Sequence, residues 1–442
     1  MLKDRTGDKW MMYAKDSKSA ARWSALLVLA MAGALVAGIN FVLTPNPYAA
    51  LHSGGVAYDA LVRSESFAIQ SNLVTMFALA VAYLYTCKSN AFIPLAPLLF
   101  VVVIVVSGLA SGVIVTRPVT YVYDAISFVL VAALARHDVR GTVSGERLKV
   151  LFRLSVVTVL VAVTLALQRP NIWGFMPFDF SRESRGEATL AAMTGALLLI
   201  PPLALSLRSI SPSERAAAYI FTVVVVASTA TRSLTIMALL PLIFFMAFRR
   251  KGMARLFLTF FTIAVVAVAA WMAKDILILS SRNQTVVEAT LTGRLDLWAY
   301  YWNAFWDAPI LGNGSFLLER TWDYYGTAKS EIGLLKTAAE QGGIAAGLQL
   351  TAVLVACRSA LLAIRNRSSS GVDVFTGLLV LSMTPNFVLQ DHARVLNFVD
   401  AFFWYSVFFQ MFRSVRRTRL AISFRVGKPL IARVNDPGLR PL

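Results

Sequence analysis

Leu98 to Ala110 reads LLFVVVIVVSGLA, an apolar run that does not alternate. A transmembrane β-strand would place polar residues at every second position, one side facing lipid and the other the lumen. This run offers no such alternation, so it reads as a helix. It sits within a longer apolar stretch, about Phe92 to Val115. At about 1.5 Å per residue that stretch covers a hydrocarbon core of about 30 Å.

Comparable runs recur from Trp23 to Phe412. The chain has 442 residues, 57% hydrophobic and only 15% charged, and its mean hydropathy is +0.65. Soluble domains carry about 25% charged residues. The pattern predicts an all-α polytopic membrane protein with about twelve transmembrane helices. The predicted spans are about Trp23–Leu43, Phe67–Cys87, Phe92–Val115, Val119–Ala135, Leu154–Leu167 and Ala188–Leu207 in the first half. Those of the second half are about Ala216–Ala230, Ser233–Phe248, Leu256–Ala273, Gly342–Cys357, Val372–Leu389 and Val395–Phe412. The first is too long for the core of a cleaved signal peptide and follows a sizeable polar start, so it reads as a span.

The formal charge of +18 finds its explanation in sidedness. Lys and Arg in short loops favour the cytoplasmic side. With residues 1–22 inside, the clusters at Arg136–Arg153, Arg208–Arg215, Arg249–Lys251 and Arg358–Arg367 all fall inside as well. So does the tail 413–442, whose Arg416, Arg417, Arg419, Arg425, Lys428, Arg433 and Arg440 suit anionic headgroups. Nucleic acid is the poorer partner, because no basic region interleaves with stacking aromatics. The resulting layout is a cytoplasmic N-terminus 1–22, nine spans over 23–273, an outer loop 274–341, three spans over 342–412 and a basic cytoplasmic tail. Cys87 and Cys357 fall at predicted inner helix ends, so no disulfide framework is expected. His52, His137 and His392 lie far apart, and no Cys/His spacing points to a metal.

Chemistry is expected in the outer loop between the ninth and tenth spans, which contains two short helical patterns. Trp298, Tyr301, Trp302, Phe305 and Trp306 fall at i, i+3, i+4, i+7 and i+8, one face of a helix. Thr292 suits its cap, Arg294 lies on the same stripe, and Pro309 with Gly312-Asn313-Gly314 ends it. An interfacial helix with a snorkelling Arg294 explains this pattern, and so does an arginine at a bound phosphate. The second pattern is SEIGLLKTAAEQGG, Ser330 to Gly343. Ser330 is a natural cap, and Glu331, Leu334, Leu335 and Ala338 share a face. Glu331 there either stabilises the helix dipole or serves as a base in a partly dry site. Lys336 and Glu340, one turn apart, are expected to form a solvated pair. Arg232, in STATRSLT, sits at the outer junction of the seventh and eighth spans, either as an ordinary turn residue or facing a cavity.

These elements, in this order, resemble the superfamily of O-antigen ligases and Wzy-type O-antigen or exopolysaccharide polymerases. The matching pieces are Thr231-Arg232-Ser233, Gly293-Arg294-Leu295-Asp296-Leu297-Trp298, Pro309 to Gly314 and Ala339-Glu340-Gln341-Gly342. The resemblance covers about Phe221 to Leu350. One position departs: the ligases typically carry a functional His eleven residues before the Gly of Ala-Glu-x-Gly, and Glu331 stands there. A Ser-Glu pair at this place looks more like the polymerase branch.

The resemblance implies a multi-pass protein of a bacterial inner membrane. Its activity would be metal-independent, cofactor-free glycosyl transfer at the periplasmic face, joining repeats carried on polyprenyl pyrophosphate. In that reading Arg232 and Arg294 hold the pyrophosphate and Glu331 handles the acceptor hydroxyl. Arg320, Tyr324, Tyr325 and Lys329, with Arg182 and Arg185 of an earlier outer loop, are further substrate contacts. Membrane lipids and a chain-length regulator are the implied partners. The alternatives are a ligase that moves finished glycan to another acceptor, and a transporter or flippase. The latter would need polar groups along a path at membrane depth.

Overall fold

The computed structural model describes residues 75–84, 95–112, 118–140, 145–168, 187–228, 232–249, 294–314, 333–366, 369–389 and 398–425, with isolated positions 29, 31, 33 and 260. Regular structure among them is entirely helical. The helices are α1 (Thr75–Leu84), α2 (Leu95–Ala110), α3 (Pro118–Arg140), α4 (Gly145–Gln168), α5 (Glu187–Ser206), α6 (Pro212–Ser228) and α7 (Arg232–Arg249). They continue with α8 (Arg294–Asp307), α9 (Gly333–Arg365), α10 (Gly371–Leu389) and α11 (Phe398–Arg425).

Local sequence explains several helix starts. Ser211 precedes Pro212, and its Oγ accepts the Glu214 N–H at 3.1 Å, so α6 begins on a hydroxyl cap with proline in the first turn. Ser370 and Asp373 cap α10 reciprocally: Asp373 N donates to Ser370 Oγ (3.3 Å) and Ser370 N to Asp373 Oδ2 (3.1 Å).

α10 is the hub of the bundle and touches α4, α5, α7, α9 and α11. α9 in turn packs on α2, α7, α8 and α11, and α3 lies between α2 and α11. Trp404 of α11, fully buried, is ringed by Phe100 of α2, Phe128 of α3 and Phe387 of α10, with centroids 5.9, 5.1 and 5.8 Å away.

The bundle has an apolar core and also exposes apolar side chains, while burying several polar ones. Val150, Val157 and Val161 form an outward stripe on α4, each about half exposed, while Gln349, Asp373, Asp400 and Gln410 are fully buried. Such an apolar exterior is what lipid solvates and water does not. α9 alone among the described helices has the length and composition to cross a membrane by itself. Shorter apolar stretches occur in α1, α2, α5, α7 and α10.

Buried polar groups link the helices. Ser359 of α9 donates to Gln410 Oε1 (2.9 Å), and Gln410 Nε2 donates to Asp373 O (2.9 Å) and Thr376 Oγ1 (2.8 Å) of α10. Arg413 of α11 pairs with Asp373 Oδ2.

Several expected boundaries move. α3 continues through Arg136 to Arg140, and α4 starts at Gly145, so Arg147, Lys149 and Arg153 lie on a helix rather than in a loop. α11 runs to Arg425, well into the stretch expected as a tail. α9 joins the short outer helix to the tenth span and passes Cys357, which lies within the helix, half-buried, with its Sγ 3.3 Å from Thr384 Oγ1. Long basic side chains extend past the apolar zone, so a helix can continue where charge begins. The predicted first and ninth spans lie almost entirely outside the described residues, as does Cys87.

Candidate functional site

α9 is broken at Gly342, whose φ of 85° and ψ of 168° are not helical. The break frees backbone groups of Ala339, Glu340 and Gly343, which need partners when buried. The loop after α8 supplies them. Asn313 N donates to Ala339 O (2.9 Å) and Gly314 N to Glu340 O (2.8 Å), while Gly343 N donates to Pro309 O (2.8 Å). Asn313 Nδ2 adds bonds to Ala304 O and Ala339 O. Ser107 Oγ, from α2, reaches Glu340 O at 3.2 Å. The result is a clasp in which the loop 309–314 is stitched to the kink 339–343.

Glycine is required on both sides of the clasp. Gly312 and Gly314 have φ of 77° and 88°. A side chain on Gly312 would strike Glu340 O and Gly342 N, and one on Gly342 would strike Ile310 O and Leu311 C. Backbone therefore touches backbone. The two glycine-bearing motifs, separate in sequence, form one structural unit.

α8 forms where the aromatic periodicity predicts it and packs against α9. Its aromatic stripe divides, however. Tyr301 and Ala304 are buried with Ala339, Phe305 is half-buried, and Trp302 and Trp306 are 52% and 60% exposed. The contact seam with α9 runs through Tyr301 and Ala304, leaving those two tryptophans on its flank.

The first turns of α9 contain a second correction. Gly333, Lys336, Thr337 and Glu340, at i, i+3, i+4 and i+7, are its buried stripe, and Gln341 is buried beside them. Leu334, Leu335 and Ala338 are half-buried, Leu334 against the main core and Leu335 against the Tyr301 cluster. Lys336 and Glu340 are thus not a solvated pair: they are 7% and 2% exposed. Polar side chains are thus turned into the bundle beside the broken helix.

Of the expected site residues, Arg232 is the first residue of α7 and Arg294 the first of α8. Glu331, Arg320, Tyr324, Tyr325, Lys329, Arg182 and Arg185 lie outside the described residues, as does the Thr292 cap. Ser107, Thr337 and Gln341 are further buried polar groups that the sequence pattern did not single out, and Lys336 is one that it placed in solvent. The i, i+3, i+4, i+7 spacing of Gly333, Lys336, Thr337 and Glu340 was a usable signal; Ser107, inside an apolar run, gave none. The described residues contain no group of three or more His, Cys, Asp or Glu able to hold a metal.

Residues 217–350 match the sequence profile of the O-antigen ligase family. This supports the resemblance to the superfamily of O-antigen ligases and Wzy-type polymerases, and with it a membrane enzyme of the general ligase or polymerase type. The matched segment runs from α6 into α9 and contains the whole 309–314 to 339–343 clasp. No curated protein matches the chain.

Proposed function

We propose that this chain is a multi-pass glycosyltransferase of a bacterial inner membrane. It would polymerise polyprenyl-pyrophosphate-linked oligosaccharide repeats into O-antigen or exopolysaccharide at the periplasmic face. The observation that carries the reading is the clasp, which ties two motifs of the matched family into one unit. It fixes the loop after α8 to the kink in α9. The reading includes about twelve spans with both termini cytoplasmic. Trp302 and Trp306, exposed on α8, fit a headgroup layer.

In the proposed reaction the acceptor sugar's hydroxyl oxygen attacks the anomeric carbon of the donor. The bond from that carbon to the phosphate oxygen breaks, and the electron pair leaves with the polyprenyl pyrophosphate. Arg232 and Arg294 hold that leaving group and offset its growing charge. Glu331 takes the hydroxyl proton. Attack opposite the leaving group inverts the anomeric centre.

The experiment is product analysis in cells carrying Arg232→Ala, Arg294→Ala or Glu331→Gln protein at normal membrane levels. Single repeats on the carrier, without polymer, are the expected result. Retained polymer on its carrier would instead mark a ligase. Full-length polymer with both Arg294→Ala and Glu331→Gln would remove the site assignment.

A further inference from the structure

A cavity of about 280 Å³ opens at the far end of the bundle from the clasp. Its walls come from the turn between α5 and α6, the last residue of α7, the segment before α10 and the starts of α4 and α10. From Gly342 to Arg365, α9 rises about 35 Å, which measures the separation of this end from the clasp. The cavity therefore lies well outside the motif unit and partly beyond the family match.

The lining mixes apolar Leu148, Leu207 and Val374 with polar side chains, and its charge is of one sign. Arg208 and Arg249 border it with Ser206, Ser209 and Ser369, and none of the described lining residues is acidic. Arg249 is held in place, its guanidinium 5.1 Å over the Phe245 ring. Ser369 Oγ is buried without a hydrogen-bond partner among the described residues. Gly145 and Gly371, the first residues of α4 and α10, both line the cavity, so two helix N-termini reach it, each with a carboxylate in its first turn, Glu146 and Asp373. A Cβ on Gly145 would meet nothing within 4 Å, which leaves room in front of the α4 terminus. Asp373, in the first turn of α10, is engaged by Arg413 and the Ser370 N–H.

A cluster of inner-face arginines usually does no more than anchor a loop to headgroups. That explanation covers Arg208, which is exposed. It does not account for a recess that adds an unpartnered buried hydroxyl, a second, fixed arginine and two helix ends. We infer that this cavity is a phosphate-binding site, taking either the phosphodiester of an anionic lipid headgroup or free phosphate. Its volume lies near the roughly 300 Å³ lower bound of ligand pockets, which suits a headgroup with its acyl chains outside. A bound phosphate would connect the α5–α6 turn, the end of α7 and the start of α10 through one anion. The topology proposed above puts the site on the cytoplasmic side, but its binding test is independent of glycosyl transfer.

The test uses the purified full-length chain in detergent, delipidated and then titrated. One arm adds phosphatidylglycerol, a second phosphatidylcholine and a third inorganic phosphate. Bound ligand is counted by native mass spectrometry and by the shift in thermal unfolding. Phosphatidylglycerol should bind more tightly than phosphatidylcholine. Arg208→Gln and Arg249→Gln should each weaken it about tenfold, the loss of one charge-assisted hydrogen bond. Ser369→Ala should weaken it less and, as a small change, keeps the test valid if Arg249→Gln fails to fold. Arg365→Gln, an exposed arginine at the same end that does not line the cavity, should change nothing. Saturable inorganic phosphate binding with the same pattern of losses identifies free phosphate as the source. Binding unaffected by Arg208→Gln and Ser369→Ala, or weakened equally by Arg365→Gln, overturns the site.

Discussion

Replacing Gly342 by alanine tests the clasp at its tightest point. The φ of 85° and ψ of 168° at this residue lie in a region that only glycine occupies readily. Forcing an L side chain to stay there costs about 1–3 kcal/mol before any contact is considered. The added Cβ would also collide with Ile310 O and Leu311 C, backbone atoms that cannot swing aside. The chain's escape is to open the clasp and give up the bonds made by Asn313 N, Gly314 N and Gly343 N. At about 1 kcal/mol net for each, opening costs about 3 kcal/mol. Strain and collision together offset most of that, so Gly342→Ala should shift the equilibrium about a hundredfold towards the open form, or about 2.7 kcal/mol. Hydrogen exchange on the full-length protein is the assay. Amides of 312–314 and 343 should lose protection while those of α10 and α11 keep theirs. Gly347→Ala, on the same helix with nothing within 4 Å of its Cβ, is the control and should be neutral or slightly stabilising. Wild-type protection and polymer yield in Gly342→Ala would refute the reasoning, because the clasp would then not hold the site.

Two further expectations rest on side chains. Asn313→Ala removes the amide bridging Ala304 O and Ala339 O, and should cost about 1–2 kcal/mol in thermal unfolding, with exchange rising in the same amides. Arg413→Met strands the buried Asp373 carboxylate and should destabilise the bundle by about 3–5 kcal/mol, whereas Asp373→Asn combined with Arg413→Met should recover much of that in a double-mutant cycle.

Helix existence was legible in the sequence because an apolar run with a 3.6-residue period has one cheap structure in lipid. α8 and α10 form where the pattern predicts. Helix ends were less legible at Arg136–Arg153 and beyond Phe412, because charge marks the depth of a helix and not its end. The burial of Lys336 and Glu340 was misjudged for a related reason. Sorting residues into apolar-in and polar-out is the habit of water, and Lys336, Thr337 and Glu340 reverse it. The glycine motifs were recognisable, but their mutual fit was not. That fit depends on positive φ values and on hydrogen bonds between residues about thirty positions apart.

The clasp also closes the base of residues 315–332, whose two flanks are Gly314, bonded to Glu340 O, and Gly333, about 10 Å down the same helix. Residues 315–332 join these two fixed flanks and carry Arg320, Tyr324, Tyr325, Lys329 and Glu331. Doubling the length of such a loop costs only about 0.6 kcal/mol in closure entropy. The knot and the bundle beneath it need not notice what hangs from them. In the proposed polymerase, such a scaffold would take a different connection for a different sugar and keep the bundle beneath, as a tool takes a new bit in the same chuck.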